Sequence, residues 1–329
     1  MVPGFRLICA LLVCAALSPS SLRGDDAALV SAKQAFEKGD YTQAIEILKK
    51  AAGSDPNNGD LYLWLTKSYL QVDQYDSAVS SGEKAVAINP KNSEYHRWLG
   101  EAYGAKADHA SMLSAYSFAR KTQKEFETAS QLDEHNYDAL QDLVEYDCTA
   151  PGVVGGGEDK AQPWIQKLMS MDPAEGHFAS GICKAQKKDY TTADTELGKA
   201  LESKPKTAAR VYDIGDYFLQ RRNAAKLLEV ASLGQQLAPQ DPRWQFYRGT
   251  ALTLQGQKQA DAEKLLRGYL QTAPNNSEYP RAWAAHYWLG RLLQSQNNSA
   301  GARSEYEAAL KLNDKYKPAR EALAQLGGN

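Results

Sequence analysis

The sequence predicts an all-α, right-handed superhelical solenoid of about eight helix-turn-helix hairpins, closed by a C-terminal helix. Three observations carry this. Residues of one kind return at a fixed distance: Tyr41 and Tyr75, Ala44 and Ala78, Ala51 and Ala85, and Pro56 and Pro90 all stand 34 residues apart, and self-similarity at such a period marks a stacked array. Within one period, Ala44, Ile45, Leu48 and Ala51 of "YTQAIEILKKAA" recur at helical spacing. They form a stripe that one hairpin cannot bury and that stacked neighbours can. Finally, Pro56, Pro90, Pro173, Pro205, Pro239 and Pro274 punctuate the chain, each ending the second helix of a unit because proline cannot continue it.

In order, the units fall near residues 25–58, 59–92, 93–136, 137–173, 174–207, 208–241, 242–276 and 283–316. The third and sixth depart from the pattern, with Thr122 and Leu227 where the repeat uses a small residue. From Pro90 to Pro173 is 83 residues where two regular units take 68. About ten of the extra residues fall near "GAKADHASML" in the third unit, and about five at "PGVVGGGED" between the helices of the fourth. The last unit keeps the pattern through Gly290, Ala302, Tyr306 and Ala309. "KPAREALAQL" over 317–326 then covers its apolar face, as a solenoid end requires.

The 34-residue spacing, the small residues at the helix crossings and the closing proline resemble the tetratricopeptide repeat. That resemblance implies a concave face lined mainly by the first helix of each unit, and binding to protein partners there. The run "ASMLSAYSFARKTQKEFETASQLD", then "APGVVGGGEDKA", then "MDPAEGH" resembles a group of exported bacterial proteins of this kind with no assigned activity. Cochaperone members of the family clamp a C-terminal carboxylate with Lys, Asn and Arg. The matching positions here hold Leu29, Lys33, Trp64, Glu94 and Trp98, of which only Lys33 suits that task.

Composition excludes little, at 43% hydrophobic and 24% charged residues with a net charge of −2. Basic residues are scattered, so no electrostatic footprint for nucleic acid exists. At the N-terminus, Arg6 precedes the apolar stretch Leu7 to Ser18 and then "PSSLRGDD", which reads as a leader over residues 1–24, cleaved after Ser20 or Gly24. An uncleaved anchor is the alternative. Cleavage removes Arg6 and Arg23, moves the charge to −4, and leaves no transmembrane span. Ile8 before Cys9 and Val13 before Cys14 lack the small residue that lipid attachment needs. The expected location is therefore periplasmic or secreted, from a bacterium. Cys148 and Cys183 remain, as a disulfide or as two buried thiols.

"TAPGVVGGGEDKA" over 149–161 looks like a phosphate loop, and Gly152 and Gly157 have that separation. Glu158 and Asp159 stand where Lys and Ser or Thr are required, and the preceding "DALQDLVEYDC" is helical in pattern, so nucleotide binding is excluded. The loop reads as an insertion at a helix turn. Val153 and Val154, with Gly155, Gly156 and Gly157, either pack on the array or contact a partner. Trp64, Trp98, Tyr247 and Trp288 all take the sixth position of their units' first helices. They serve either as groove anchors for a peptide or helix or as spacers between helices. With Lys33, Lys67, Arg97 and Glu101 they make the candidate partner-binding set. His96, His109, His135, His177 and His286 are dispersed, no motif calls for a metal or cofactor, and "EYDC" has no histidine at nucleophile spacing. The expected function is a non-catalytic protein-binding scaffold of the cell envelope, the alternative being an assembly or quality-control factor that handles polysaccharide or export machinery.

Overall fold

The computed structural model describes residues 24–327. The leader expected over 1–24 lies outside these residues save Gly24, which opens the first helix. Four helix pairs come first: α1 (Gly24–Glu37) with α2 (Tyr41–Ser54), α3 (Gly59–Gln71) with α4 (Tyr75–Ile88), α5 (Ser93–Asp108) with α6 (Met112–Leu132), and α7 (Tyr137–Thr149) with α8 (Glu158–Met171). Four more follow: α9 (Pro173–Gln186) with α10 (Tyr190–Glu202), α11 (Ala208–Gln220) with α12 (Ala224–Leu237), α13 (Arg243–Gln255) with α14 (Gln259–Thr272), and α15 (Ala282–Ser295) with α16 (Ser299–Leu312). The helix α17 (Lys317–Gly327) packs on α15 and α16 and buries Ala319 and Ala322. No strand occurs among the described residues.

Nine of the helices start where the sequence supplies a side-chain cap. Asp40, Asn58, Asn92, Asn136, Asp172, Asp189, Thr207, Asn223 and Asn298 each accept a hydrogen bond from a backbone N–H of the first turn, satisfying donors that have no partner inside the helix. Close crossing inside each pair rests on small residues: Ala44, Ala78, Ala161, Ala193, Ala262 and Ala302 are fully buried. Thr122 fits the same place by turning its hydroxyl back to the Phe118 carbonyl, 3.1 Å away, and Leu227 is simply buried.

The extra residues of the third unit lengthen its helices rather than loop out. α6 runs 21 residues and α5 runs 16, against 13 or 14 in most of the others, so the hairpin tip projects and leaves Met112 and Leu113 89% and 88% exposed. Those of the fourth form a single 3₁₀ turn at Gly152–Val154 between α7 and α8.

Successive first helices approach one another along the inner side of the array: α1 with α3, α3 with α5, α5 with α7, α7 with α9, α11 with α13, α13 with α15. The step from α9 to α11 is the exception; there the second helices α10 and α12 approach instead. A continuous apolar core runs from Phe178 to Ala322, and smaller clusters serve the earlier pairs.

The array also meets itself. The segment joining α14 to α15 returns to the turn between α1 and α2, where the Ser277 amide donates to the Tyr41 hydroxyl at 3.0 Å and the Asn276 side-chain amide donates to the Glu37 carbonyl. Gly39 in that turn has φ +80°, and a Cβ there would lie 1.9 Å from the Asn275 carbonyl oxygen. Only glycine allows both the left-handed backbone and so close an approach.

Candidate functional site in the concave groove

The first helices carry two chemically distinct stretches. On α1, α3 and α5, cations and indoles alternate. Lys33 sits 5.1 Å from the Trp64 ring, Lys67 lies 4.7 Å from Trp64 and 4.4 Å from Trp98, and Arg97 stacks at 5.2 Å on Trp98. Phe36 meets Trp64 edge-on, and the Trp98 indole donates to Glu94 at 3.2 Å. Burial lowers the Lys67 pKa, opposed by Glu94 and Glu278, which is the desolvation expected of an ammonium held between two rings. Lys33, Trp64, Lys67, Arg97 and Trp98 are thus brought together as one ladder, and the indoles present faces already stacked by cations instead of bare apolar anchors.

From α5 onward the groove turns acidic. Arg97 donates to Asp142 at 2.6 Å and lies 3.9 Å from Asp138. One turn beyond Trp98, Glu101 faces Asp142; desolvation is the leading cause raising both carboxyls, helped at Glu101 by Glu145 and Asp138 and at Asp142 by Glu101, against the pull of Arg97. Arg210 on α11 reaches Glu175 at 2.9 Å, Asp213 at 2.9 Å and Asp138 at 3.3 Å, and its guanidinium lies 4.0 Å from the centre of the Phe178 ring. Where α9 and α11 separate, a cavity of about 300 Å³ opens. Val144, Phe178 and Ile182 form its floor and Glu145, Asp213 and Asp216 its rim. These three carboxylates are exposed to the groove, and partial desolvation by its walls pushes Glu145 and Asp216 upward, and Asp213 up to about 6.

Tyr247 and Trp288 correct the expectation that all four aromatics border the groove. Tyr247 is 1% exposed and Trp288 6%. The Tyr247 ring lies beside Gly215 of α11, parallel to Tyr212 at 5.5 Å, and its hydroxyl donates to Asp216 at 2.7 Å. Trp288 packs edge-on against Tyr287 in the core. Both are helix spacers, and Gly215 of α11 leaves the room that the Tyr247 ring fills.

The glycine-rich loop turns its donors inward. The amides of Gly155, Gly156 and Gly157 bond the carbonyls of Gly152, Pro151 and Asp147, so none is free for an anion. Val154 is buried and its carbonyl accepts from the Tyr146 hydroxyl at 2.8 Å, whereas Val153 is 71% exposed. Gly155 and Gly157 hold φ of +108° and +157°, and the loop lies against α6 near Gln123. Immediately before it, Cys148 pairs with Cys183, tying α7 to α9.

Three histidines that look scattered share one role. His96, His177 and His286 each bond a glutamate of the second helix in the same pair: Glu125 at 2.6 Å, Glu196 at 2.8 Å and Glu305 at 2.7 Å. The offset is 19 residues in two cases and 29 in the lengthened third unit, a recurrence visible in the sequence once the insertion is removed. The acidic stretch is equally open to reading: Lys33, Lys67, Glu101, Glu145, Ile182 and Asp216 take one repeat position, as do Trp64, Trp98, Asp142 and Asp213. Following only the aromatics along it misses the carboxylates. Among the described residues no group of three or more His, Cys, Asp or Glu is placed to hold a metal, and no helix is long and apolar enough to cross a membrane.

Family models described as tetratricopeptide repeat match residues 35–102 and 275–319. No curated protein matches the chain. Among solved structures it is similar to a thermophilic repeat protein of Thermus thermophilus, at 19% identity over 59% of this chain and 99% of that one with a TM-score of 0.48. It is also similar to a repeat protein of Parabacteroides merdae, at 14% identity over 93% of this chain and 99% of that one, TM-score 0.41. A third is the C-terminal part of a repeat-containing protein of Cytophaga hutchinsonii, at 17% identity over 90% and 99%, TM-score 0.41. The chain thus carries tetratricopeptide repeats in the two matched segments, and the same small-residue crossings recur between them.

Proposed function

We propose that the protein is a non-catalytic scaffold of the cell envelope whose groove takes an extended segment or helix of a protein partner. The observation that carries this reading is the inner layer of first helices, which presents part-exposed charged and aromatic side chains along α3, α5, α7, α9 and α11 where neighbouring repeats are otherwise sealed by apolar contacts. Such a surface supplies pockets for alternate side chains without needing to fold around the ligand. Export is supported by the apolar stretch Leu7 to Ser18 and by the Cys148–Cys183 bond, since such bonds persist in oxidising compartments.

The test is a photo-crosslinking amino acid at Ile182 in the groove or at Lys50 on the outside of α2, in the cell that makes the protein. The reading expects one protein species crosslinked from Ile182 and absent from Lys50. Crosslinks from Lys50 alone would sink it.

A further inference from the structure

The inner layer of first helices parts only between α9 and α11, and the opening has a lining of two kinds. Val144, Phe178 and Ile182 are apolar and lie beneath the carboxylates of Glu145, Asp213 and Asp216. Glu101 and Asp142 extend the same sign of charge along the groove. The three cations nearby are committed, Arg97 to Asp142, Arg210 to Glu175 and Asp213, and Arg243 to Asp241, from where it also attracts Asp216. Neither Glu101 nor Glu145 forms an ion pair among the described residues. Glu145, Asp213 and Asp216 stay exposed to the groove, so the opening presents three carboxylates beside an apolar patch, with fewer cations than acidic groups.

We propose that this opening seats a lysine or arginine side chain of the partner segment. The proposal rests on the groove reading above and names the chemistry of its occupant. A basic side chain is itself two-part, an aliphatic stem that covers apolar surface and a charged head that stays polar. The stem lies on Ile182 beside the Arg210-covered Phe178 ring, and the head meets Glu145 and Asp216, neither of which forms a direct ion pair among the described residues. An acidic side chain would add to the repulsion already present. A wholly apolar one would strip the remaining water from the carboxylates and return nothing. Favourable charge at this site also fixes the register of the segment, because like charge suppresses wrong partners.

The test uses displayed random dodecapeptides selected on the full-length chain, followed by titration of the winning synthetic peptides against four variants. Glu145→Gln with Asp216→Asn removes charge while keeping shape and the acceptor for the Tyr247 hydroxyl. Ile182→Arg blocks the groove, Glu46→Gln on α2 is an outside control, and circular dichroism verifies folding. The seat predicts peptides enriched in Lys or Arg whose Kd weakens by about tenfold or more in the paired variant, stays unchanged in Glu46→Gln, and weakens with salt. Neutral or acidic peptides that lose binding in Ile182→Arg and keep it in the paired variant would overturn the basic seat and leave groove binding intact. Peptides indifferent to both would overturn the groove reading itself, and the seat with it.

Discussion

Replacing both Cys148 and Cys183 by alanine is expected to loosen the middle of the array and leave its ends nearly unchanged. The bond closes a loop with a sequence separation of 35. The chain-entropy relation then gives about 12.7 cal/mol/K, or about 3.8 kcal/mol at 25 °C, toward the upper part of the range such bonds contribute. Both sulfurs are buried among Leu140, Val144, Ile165 and Leu168, so lost packing adds to the entropic effect instead of offsetting it. Because each repeat is held mainly by its neighbours, the loss should concentrate in α7, α8 and α9. Amide hydrogen exchange read by mass spectrometry is the assay. At about 1.4 kcal/mol per factor of ten, protection in those helices should fall by roughly 500-fold, and α2 to α4 should change little. A fall below about tenfold, or an equal fall through all eight pairs, would refute the reasoning that the bond acts as a local tie between α7 and α9.

The His96–Glu125 bond makes the third pair sensitive to pH. The bond to Glu125 is the leading cause raising the His96 pKa, against desolvation. Its stabilisation is therefore fully present below the unfolded value of about 6.5 and is lost as pH rises through the folded value. The melting temperature of the native chain relative to His96→Gln should fall across that window, and a constant difference would count against it. Gly39→Ala should open the contact between the α1–α2 turn and the segment before α15, since its Cβ cannot occupy a place 1.9 Å from a backbone oxygen. The Ser277 amide, bonded to Tyr41, should lose protection from exchange while helicity by circular dichroism is retained; unchanged protection would show the contact to be dispensable.

Periodicity exposes the fold of this chain because a repeat writes each packing rule several times over. Ala44, Ala78, Ala193 and Ala302 state one crossing geometry four times, and a single substitution such as Leu227 does not blur it. The site is written once. At the sixth repeat position Trp98 faces the groove and Tyr247 is buried, and the difference lies in neighbouring chain, in Gly215 making room for the Tyr247 ring. A one-dimensional frame assigns both residues the same place and cannot see that vacancy. The Cys148–Cys183 pairing is likewise undecided in the sequence, because proximity between α7 and α9 depends on how the five-residue insertion folds. It folds as a tight turn, and the two helices stay adjacent.

The return of Asn276 and Ser277 to the first hairpin changes how the molecule behaves as a mechanical object. An open solenoid is a spring: a degree of error at each repeat accumulates along its length, and its two ends wander over many ångströms. Bonding the seventh unit's exit to the first unit's turn makes a split ring, in which angular errors must cancel around the circuit. The bore is then set when the chain folds, and a guest entering it encounters a width already fixed. If the groove takes a partner as proposed above, selection by size would be a property of the whole circuit, and a substitution at the seam would alter which guests fit without touching any residue that they meet.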